Sequence, residues 1–378
     1  MIKDHLIIFF PLADWDAPTQ RYQHLALLFS RNNRVIYMNL PVAVTYVMRN
    51  PLNLIKKWFR FMVGKRKVNS NLSIYYPFPC LPFERVSRWV NKLNQYILYL
   101  FIKIFVRPQE SPILWINDPY KYLMIKLLKP KISVYDCPDE MLFSGNGKRK
   151  RVYGQLKKEI LEQSTISFCT SKVLLEEGKM HAKNCFYVPN GVDIGSFLRE
   201  KCRTPKMLAK LQGTILGVVG TFDERIDVEL MSFVLENIRD ATFVFVGPIG
   251  INMRDLENHP RVFLAGKRRY EEIPAFIEAF DVALIPYRLN EVTRAVYPVK
   301  LHEYLILGKP VVATSLPELE QFSDMIWVAK TKEEFLHHIR AALNESDEGI
   351  RNKRIDIAKA NSWDERINQI TEILHNYL

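Results

Sequence analysis

The stretch that most constrains the fold is Tyr297-Pro298-Val299-Lys300-Leu301-His302-Glu303-Tyr304-Leu305-Ile306-Leu307-Gly308-Lys309-Pro310-Val311-Val312-Ala313-Thr314. An apolar run just upstream, Asp281 to Pro286, suits a buried parallel strand. A polar loop follows from Arg288 to Tyr297. Pro298 fits the first turn of a helix, where its missing N–H costs nothing. Leu301, Tyr304 and Leu305 recur at helical spacing, Gly308 is a natural C-cap, and Val311-Val312-Ala313 reads as the next strand. A strand, a short helix and a strand in this order demand an α/β sheet. Such sheets take ligands beyond the carboxyl ends of their strands, with a helix N-terminus aimed at an anion. Lys300 can pair with a phosphate there, and Glu303 can accept two hydrogen bonds from vicinal hydroxyls. The plainer alternative is a solvated Lys and a Glu near an ordinary helix start.

The same stretch resembles the nucleotide-sugar signature of GT-B glycosyltransferases. The resemblance is to glycosyltransferase family 4, in the bacterial cell-surface polysaccharide subset with the teichuronic-acid and xanthan glucuronosyltransferases. In the family segment K-L-x-E-Y-x-x-x-G-K-P-V-V the Glu holds the donor ribose, and Glu303 matches it. The Lys before it, matched by Lys300, is met in that subset. One departure stands out: many members carry a second Glu eight residues before the ribose Glu, where this chain has Ala295. The resemblance is strong over residues 214–320, moderate over 120–193 and weak between 40 and 110. It implies an α/β chain of GT-B type, with two doubly wound Rossmann-like domains facing a cleft.

From the N-terminus, Leu6 to Phe10 reads as a strand, Thr19 caps a helix faced by Tyr22, Leu25, Ala26 and Phe29, and Arg34 to Met38 is a second strand. This βαβ opening has no glycine-rich phosphate loop. Trp15, Gln20, Arg21 and His24 resemble the first loop and helix of the subset, which makes Asp16, Arg21 and His24 candidates for the acceptor or its phosphate. Surface roles are the alternative for Arg21 and His24. Strands are expected at Pro112–Ile116, Ile132–Tyr135, Ile166–Cys169 and Phe186–Val188. Asp136, Asp139 and Glu140 follow the second of these at its carboxyl end. Asp136 is the candidate base for an acceptor hydroxyl, with Asp139 as the alternative and Asp16 a more distant one. A carboxylate there, with Ala295 in place of the second Glu, would favour inversion at the anomeric carbon. The competing reading is that Asp136 only caps a turn.

Pro189-Asn190-Gly191-Val192-Asp193 resembles the loop closing the first GT-B domain, and residues 195–212 read as the interdomain linker. The expected domains are residues 1–195 for the acceptor, 213–360 for the nucleotide sugar, and a C-terminal helix, 361–378, that crosses back to the first domain as in the family. The loop Gly220 to Asp227 is similar to the family's glycine loop, whose basic residue, here Arg225, binds the donor diphosphate. Gly266 to Tyr270 looks like the loop that contacts the base. The full expected donor set is Gly220, Arg225, Lys267, Tyr287, Arg294, Lys300 and Glu303.

Charge bears on the partner. Residues 1–200 hold 30 Lys and Arg against 15 Asp and Glu, and the rest 23 against 26. A basic half needs an anionic partner: nucleic acid, acidic lipid or an acidic substrate. Residues 54–67 mix large apolar and basic side chains. Lys56, Lys57, Trp58, Arg60 and Phe61 have the composition of a helix lying on anionic lipid, or of a packed helix with a solvated basic rim. No stretch reaches transmembrane length, and the N-terminal apolar run is too short for a signal peptide. The five cysteines lack metal or redox spacing and read as reduced thiols.

The expectation is a cytoplasmic glycosyltransferase, peripheral on the inner face of the cell membrane. It would move a sugar, most simply from a UDP-sugar, to a lipid-linked or polysaccharide acceptor. It would use no cofactor and no metal, since two cations meet the leaving diphosphate, and would bind no nucleic acid. The rivals are a GT-B-fold epimerase or phosphorylase, and a basic nucleic-acid-binding protein. Against the last, no helix-turn-helix, zinc or RRM signature is present.

Overall fold

A computed structural model describes residues 2–41, 64–137, 147–198 and 205–378. The chain divides into two compact units, Met1–Pro189 with Ile367–Leu378, and Asn190–Arg366. Among the described residues, no helix is long and apolar enough to cross a membrane.

The first unit is built on an eight-stranded sheet: β1 (Leu6–Phe10), β2 (Arg34–Met38), β3 (Lys65–Lys67), β4 (Leu72–Tyr75), β5 (Ile113–Ile116), β6 (Ile132–Cys137), β7 (Ile166–Cys169) and β8 (Cys185–Tyr187). Their spatial order is β3-β4-β2-β1-β5-β6-β7-β8, and only the β3–β4 pair is antiparallel. β1, β5, β6 and β7 are buried along their whole length, as strands covered on both faces must be, although β6 carries Ser133 and Asp136 and β7 carries Ser167. Trp115 sits at the centre, 5.6 Å from the Phe9 ring and 5.7 Å from that of Phe168. The direction of winding reverses between β1 and β5, where Asn117 N donates to Phe10 O at 2.9 Å.

Two expectations change here. β6 runs two residues further than Tyr135, so Asp136 lies inside the strand, in register with Phe168. Lys65, Arg66 and Lys67 are not the end of a helix but an exposed edge strand, β3, whose cations discourage further pairing.

The second unit is a six-stranded, wholly parallel sheet: β9 (Thr214–Val219), β10 (Ala241–Val246), β11 (Val262–Gly266), β12 (Val282–Ile285), β13 (Val311–Thr314) and β14 (Trp327–Ala329). The order β11-β10-β9-β12-β13-β14 is that of a doubly wound dinucleotide-type sheet. Strand alternation deals side chains to two cores. Val219, Val246, Ile285 and Ala313 face one, while Val218, Phe245, Leu284 and Val312 face the other. The segment expected as a linker belongs to this unit, for Phe197 and Leu208 are buried in the first of these cores. Gly217 is required within β9 because the Phe280 ring packs where a Cβ would stand, 2.1 Å away.

Candidate functional site

The winding of the second sheet reverses between β9 and β12, so loops leave the two strand ends in opposite directions and a crevice opens there. Three contacts fix that crevice. Gly220 and Gly247 follow β9 and β10 at φ +152° and +150°, a region that L side chains rarely adopt. They cross so closely that a Cβ on Gly247 would lie 1.7 Å from Gly220 O. The loop 220–227 is then sewn to the chain leaving β12: Asp227 N donates to Pro286 O at 2.8 Å and Arg288 N to Arg225 O at 2.7 Å. Finally Val219 N donates to the Tyr304 hydroxyl at 2.8 Å, which ties the helix Val299–Leu305 to the end of β9.

That helix carries the two residues singled out first. Glu303 is 1 % exposed, and Lys300 Nζ donates to its Oε2 at 2.7 Å. Lys300 is partly exposed and Glu303 is not, so the pair presents a cation outward from a buried carboxylate. The helix has only seven residues, so attraction for an anion rests on Lys300 rather than on the helix end. Tyr270 closes on Glu303 from another side. Burial pushes its hydroxyl well above the ordinary phenol range, reinforced by the charges of Glu303 and Asp193 and by a hydrogen bond to Glu303. Next to Glu303, His302 is fully buried against the Tyr297 hydroxyl. Desolvation, and after it the charge of Arg366, lowers its pKa to about 3, so the imidazole is neutral.

Of the other expected donor residues, Arg225 is held by Asp223, Nε to Oδ1 at 2.9 Å and Nη2 to Oδ2 at 2.7 Å, with its guanidinium 5.7 Å from the Tyr287 ring. Burial raises the Asp223 carboxyl, and the Arg225 hydrogen bonds and charge more than offset that, leaving it below the ordinary value. Arg225, Tyr287, Lys300 and Glu303 thus belong to one frame around the end of β9. Lys267 is exposed just past β11, and Arg294 is exposed on the short turn Thr293–Ala295. Sequence reasoning missed Tyr304, Asp223 and Asp193. Tyr304 and Asp193 are placed here by the fold, whereas Asp223 lies two residues from Arg225 and that spacing could have signalled it.

The first unit corrects the base assignment. Asp136 is fully buried and both its oxygens are used. Arg21 Nε donates to Oδ1 at 2.9 Å and Oδ2 at 3.0 Å, Trp115 Nε1 to Oδ2 at 3.0 Å, and Asn117 Nδ2 to Oδ2 at 3.1 Å. A carboxylate enclosed in this way is a buried ion-pair partner, not a base within reach of an acceptor, and Asp136 no longer supports an inverting scheme. Arg21 is corrected equally. It is buried, and its Nη1 donates to Pro189 O at 3.1 Å, so it braces the unit from within. Two residues expected to have separate roles are each other's partners. Asp16 lies at the surface 3.0 Å from Arg66, and His24 is half-buried on the first helix. Asp139 and the lipid-facing candidates Lys56, Lys57, Trp58, Arg60 and Phe61 lie outside the described residues.

The chain is similar in sequence and fold to known proteins. Residues 213–345 match the family Glycosyl transferases group 1. The chain is 27% identical over 283 residues to TuaH of Bacillus subtilis (strain 168), assigned as a teichuronic acid biosynthesis glycosyltransferase, covering 69% of this chain and 71% of that one. The fold is similar to sucrose-phosphate synthase from Thermosynechococcus elongatus, with TM-score 0.73 at 14% identity over 99% of each chain. It is also similar to Anabaena HepE in complex with UDP and glucose, with TM-score 0.68 at 13% identity over 98% of this chain and 100% of that one.

Proposed function

We propose that this chain, a glycosyltransferase of GT-B fold with a group 1 domain, transfers a sugar from UDP to a lipid-linked or polysaccharide acceptor at the inner face of the cell membrane. The observation that carries the donor half of this reading is the Lys300–Glu303 pair at the crevice where the second sheet reverses. The buried carboxylate suits the paired hydroxyls of a ribose, and the outward ammonium suits a diphosphate. A relative of the same fold holds UDP and glucose, and another is assigned as a teichuronic acid biosynthesis glycosyltransferase. That second likeness and the basic first half support a cell-envelope acceptor.

In the reaction the bond between the sugar's anomeric carbon and the diphosphate oxygen breaks, and UDP leaves with the negative charge. The acceptor oxygen forms the new bond and gives up its proton to the departing diphosphate or to water, which balances the charge. In this reading Lys300 and Arg225 meet the charge that grows on the diphosphate, each sharing the carboxylate that now holds it, Glu303 and Asp223. With two cations so placed, no divalent metal is required. To reach a phosphate, Lys300 must share or exchange its bond to Glu303, while the ribose hydroxyls compensate the carboxylate it leaves.

The test is calorimetric binding of UDP and uridine. Lys300→Ala is expected to weaken UDP by about 10- to 100-fold, the worth of a charge-assisted hydrogen bond, with a much smaller effect on uridine. Glu303→Gln is expected to weaken both alike. UDP affinity unchanged in a folded Lys300→Ala protein would remove the assignment.

A further inference from the structure

The helix Arg88–Phe101 buries Leu98 and Phe101 toward its C-terminal end, but its middle turns are unusual. Its inward face carries three amides, Asn91, Asn94 and Gln95, all buried. Each is satisfied. Asn91 Nδ2 donates to Tyr120 O at 3.0 Å, and Gln95 accepts from Leu123 N at 2.8 Å. Asn94 accepts from Leu81 N at 2.8 Å and donates to Leu81 O at 2.9 Å. The outward face carries what a core would hold. Trp89 is 71% exposed, Tyr96 50% and Leu100 55%, and in the wide turn Ile102–Val106 that follows, Ile104 is 50% and Phe105 47% exposed. The spacing from Trp89 through Tyr96 and Leu100 to Ile104 keeps them in one stripe along the axis. The polar contacts fix the helix so that this stripe cannot turn inward. Exposed large apolar side chains grouped on one face in this way mark an interaction surface.

Charge identifies what covers it. Lys92, Lys103 and Arg107 are exposed beside the stripe. Between Glu84 and Glu110 the sequence has no Asp or Glu at all. An apolar ridge flanked by cations, with Arg88 at the helix start paired to Glu159 and no carboxylate on the helix itself, complements a surface that is negative outside and apolar just beneath. We propose that this stripe docks the first unit on an anionic lipid surface, with the helix lying in the plane of the interface. Trp89 and Tyr96 would sit at headgroup depth, Leu100, Ile104 and Phe105 would reach the acyl boundary, and the cations would spread over lipid phosphates. The proposal deepens the membrane reading above by naming the surface that carries it, and it does not depend on the donor site.

The experiment sediments the full chain with vesicles rich in phosphatidylglycerol or made of phosphatidylcholine alone, and measures UDP binding in parallel. Binding is expected to the acidic vesicles, weaker to the neutral ones and falling as salt rises. The triple variant Trp89→Ser/Leu100→Ser/Ile104→Ser should lose at least about tenfold in vesicle affinity, since each of these side chains leaves water when it is buried in the interface. Its melting temperature and UDP affinity should stay unchanged, because these residues are exposed and lie in the other unit. Lys92→Ala/Lys103→Ala/Arg107→Ala should flatten the salt dependence. Undiminished vesicle binding by the triple variant overturns the proposal. If Trp58→Ser/Phe61→Ser abolishes binding in that case, the membrane reading survives on another segment. Equal binding to neutral vesicles also overturns it. So does a triple variant that turns a dimer into a monomer and keeps its vesicle binding, which would make the stripe a self-association face. If the wild type ignores both vesicles, the membrane reading falls too, and intact UDP binding leaves the donor site standing.

Discussion

Asp136 and Arg21 hold each other through both carboxylate oxygens, with Trp115 and Asn117 completing the shell. Removing the charge from one partner of such a pair leaves the other buried and unmatched. Asp136→Asn is therefore expected to destabilise the first unit by about 3–5 kcal/mol, with UDP affinity intact, as read by thermal melting beside calorimetry. A hundredfold loss of turnover with an unchanged melting temperature would instead restore Asp136 as a base. His302 makes a prediction of the opposite kind. Its folded pKa of about 3 lies below the ordinary 6.5, so between those values the unfolded chain binds a proton that the folded chain does not. Stability is fully expressed above pH 6.5 and falls below it, by up to ~1.4 kcal/mol per pH unit. The difference in stability between the wild type and His302→Gln should shrink along that slope from pH 6 to 4. Parallel pH profiles for the two proteins would show that His302 does not titrate in this way. Lys300 and Glu303 were legible in the sequence because they lie three apart on one helix, where spacing alone brings side chains together. The Arg21–Asp136 pair was not, because 115 residues separate the two and only sheet register brings them into contact.

At the level of elements, the long apolar strands announced themselves, and their ends did not. β6 continues through an aspartate and a cysteine because its neighbour β7 continues to pair with it, and that pairing buried the residue expected at a loop. β3, β4 and β14 are three or four residues long, too short for alternation to distinguish them from loop. Cys169 and Cys185, sixteen apart in sequence, have their sulfurs 3.5 Å apart because β7 and β8 are neighbours. The crossing of Gly220 and Gly247 gives an ordered prediction. Both hold positive φ, so alanine strains each, but only at Gly247 does a Cβ also strike backbone. Gly247→Ala should cost more than Gly220→Ala, with strain and overpacking together amounting to at least about 2 kcal/mol. Equal melting temperatures for the two variants would show that the crossing is looser than its geometry.

At the level of the whole molecule, the second unit is one unbroken length of chain, whereas the first is closed by residues Ile367–Leu378. Ile367, Ile370 and Leu374 are buried, and Gln369 Nε2 donates to Tyr187 O on β8 at 3.0 Å. A chain ending at Arg366 should keep UDP binding while its first unit loses several kcal/mol, at about 2–5 kcal/mol per large core side chain deleted. A first-unit melting transition unchanged by the truncation would mean that these residues add nothing to it. The same arrangement dictates an order of events on the ribosome. Synthesis at ~5–20 residues per second ordinarily lets the N-terminal domain finish first. Here the second unit is complete in sequence once Arg366 is made, while β8, the outermost strand of the first, waits for Ile367–Leu378 to be made and to pack on it. The half that is made first is completed last, and through that interval its open sheet edge is the part of the nascent protein most in need of a chaperone.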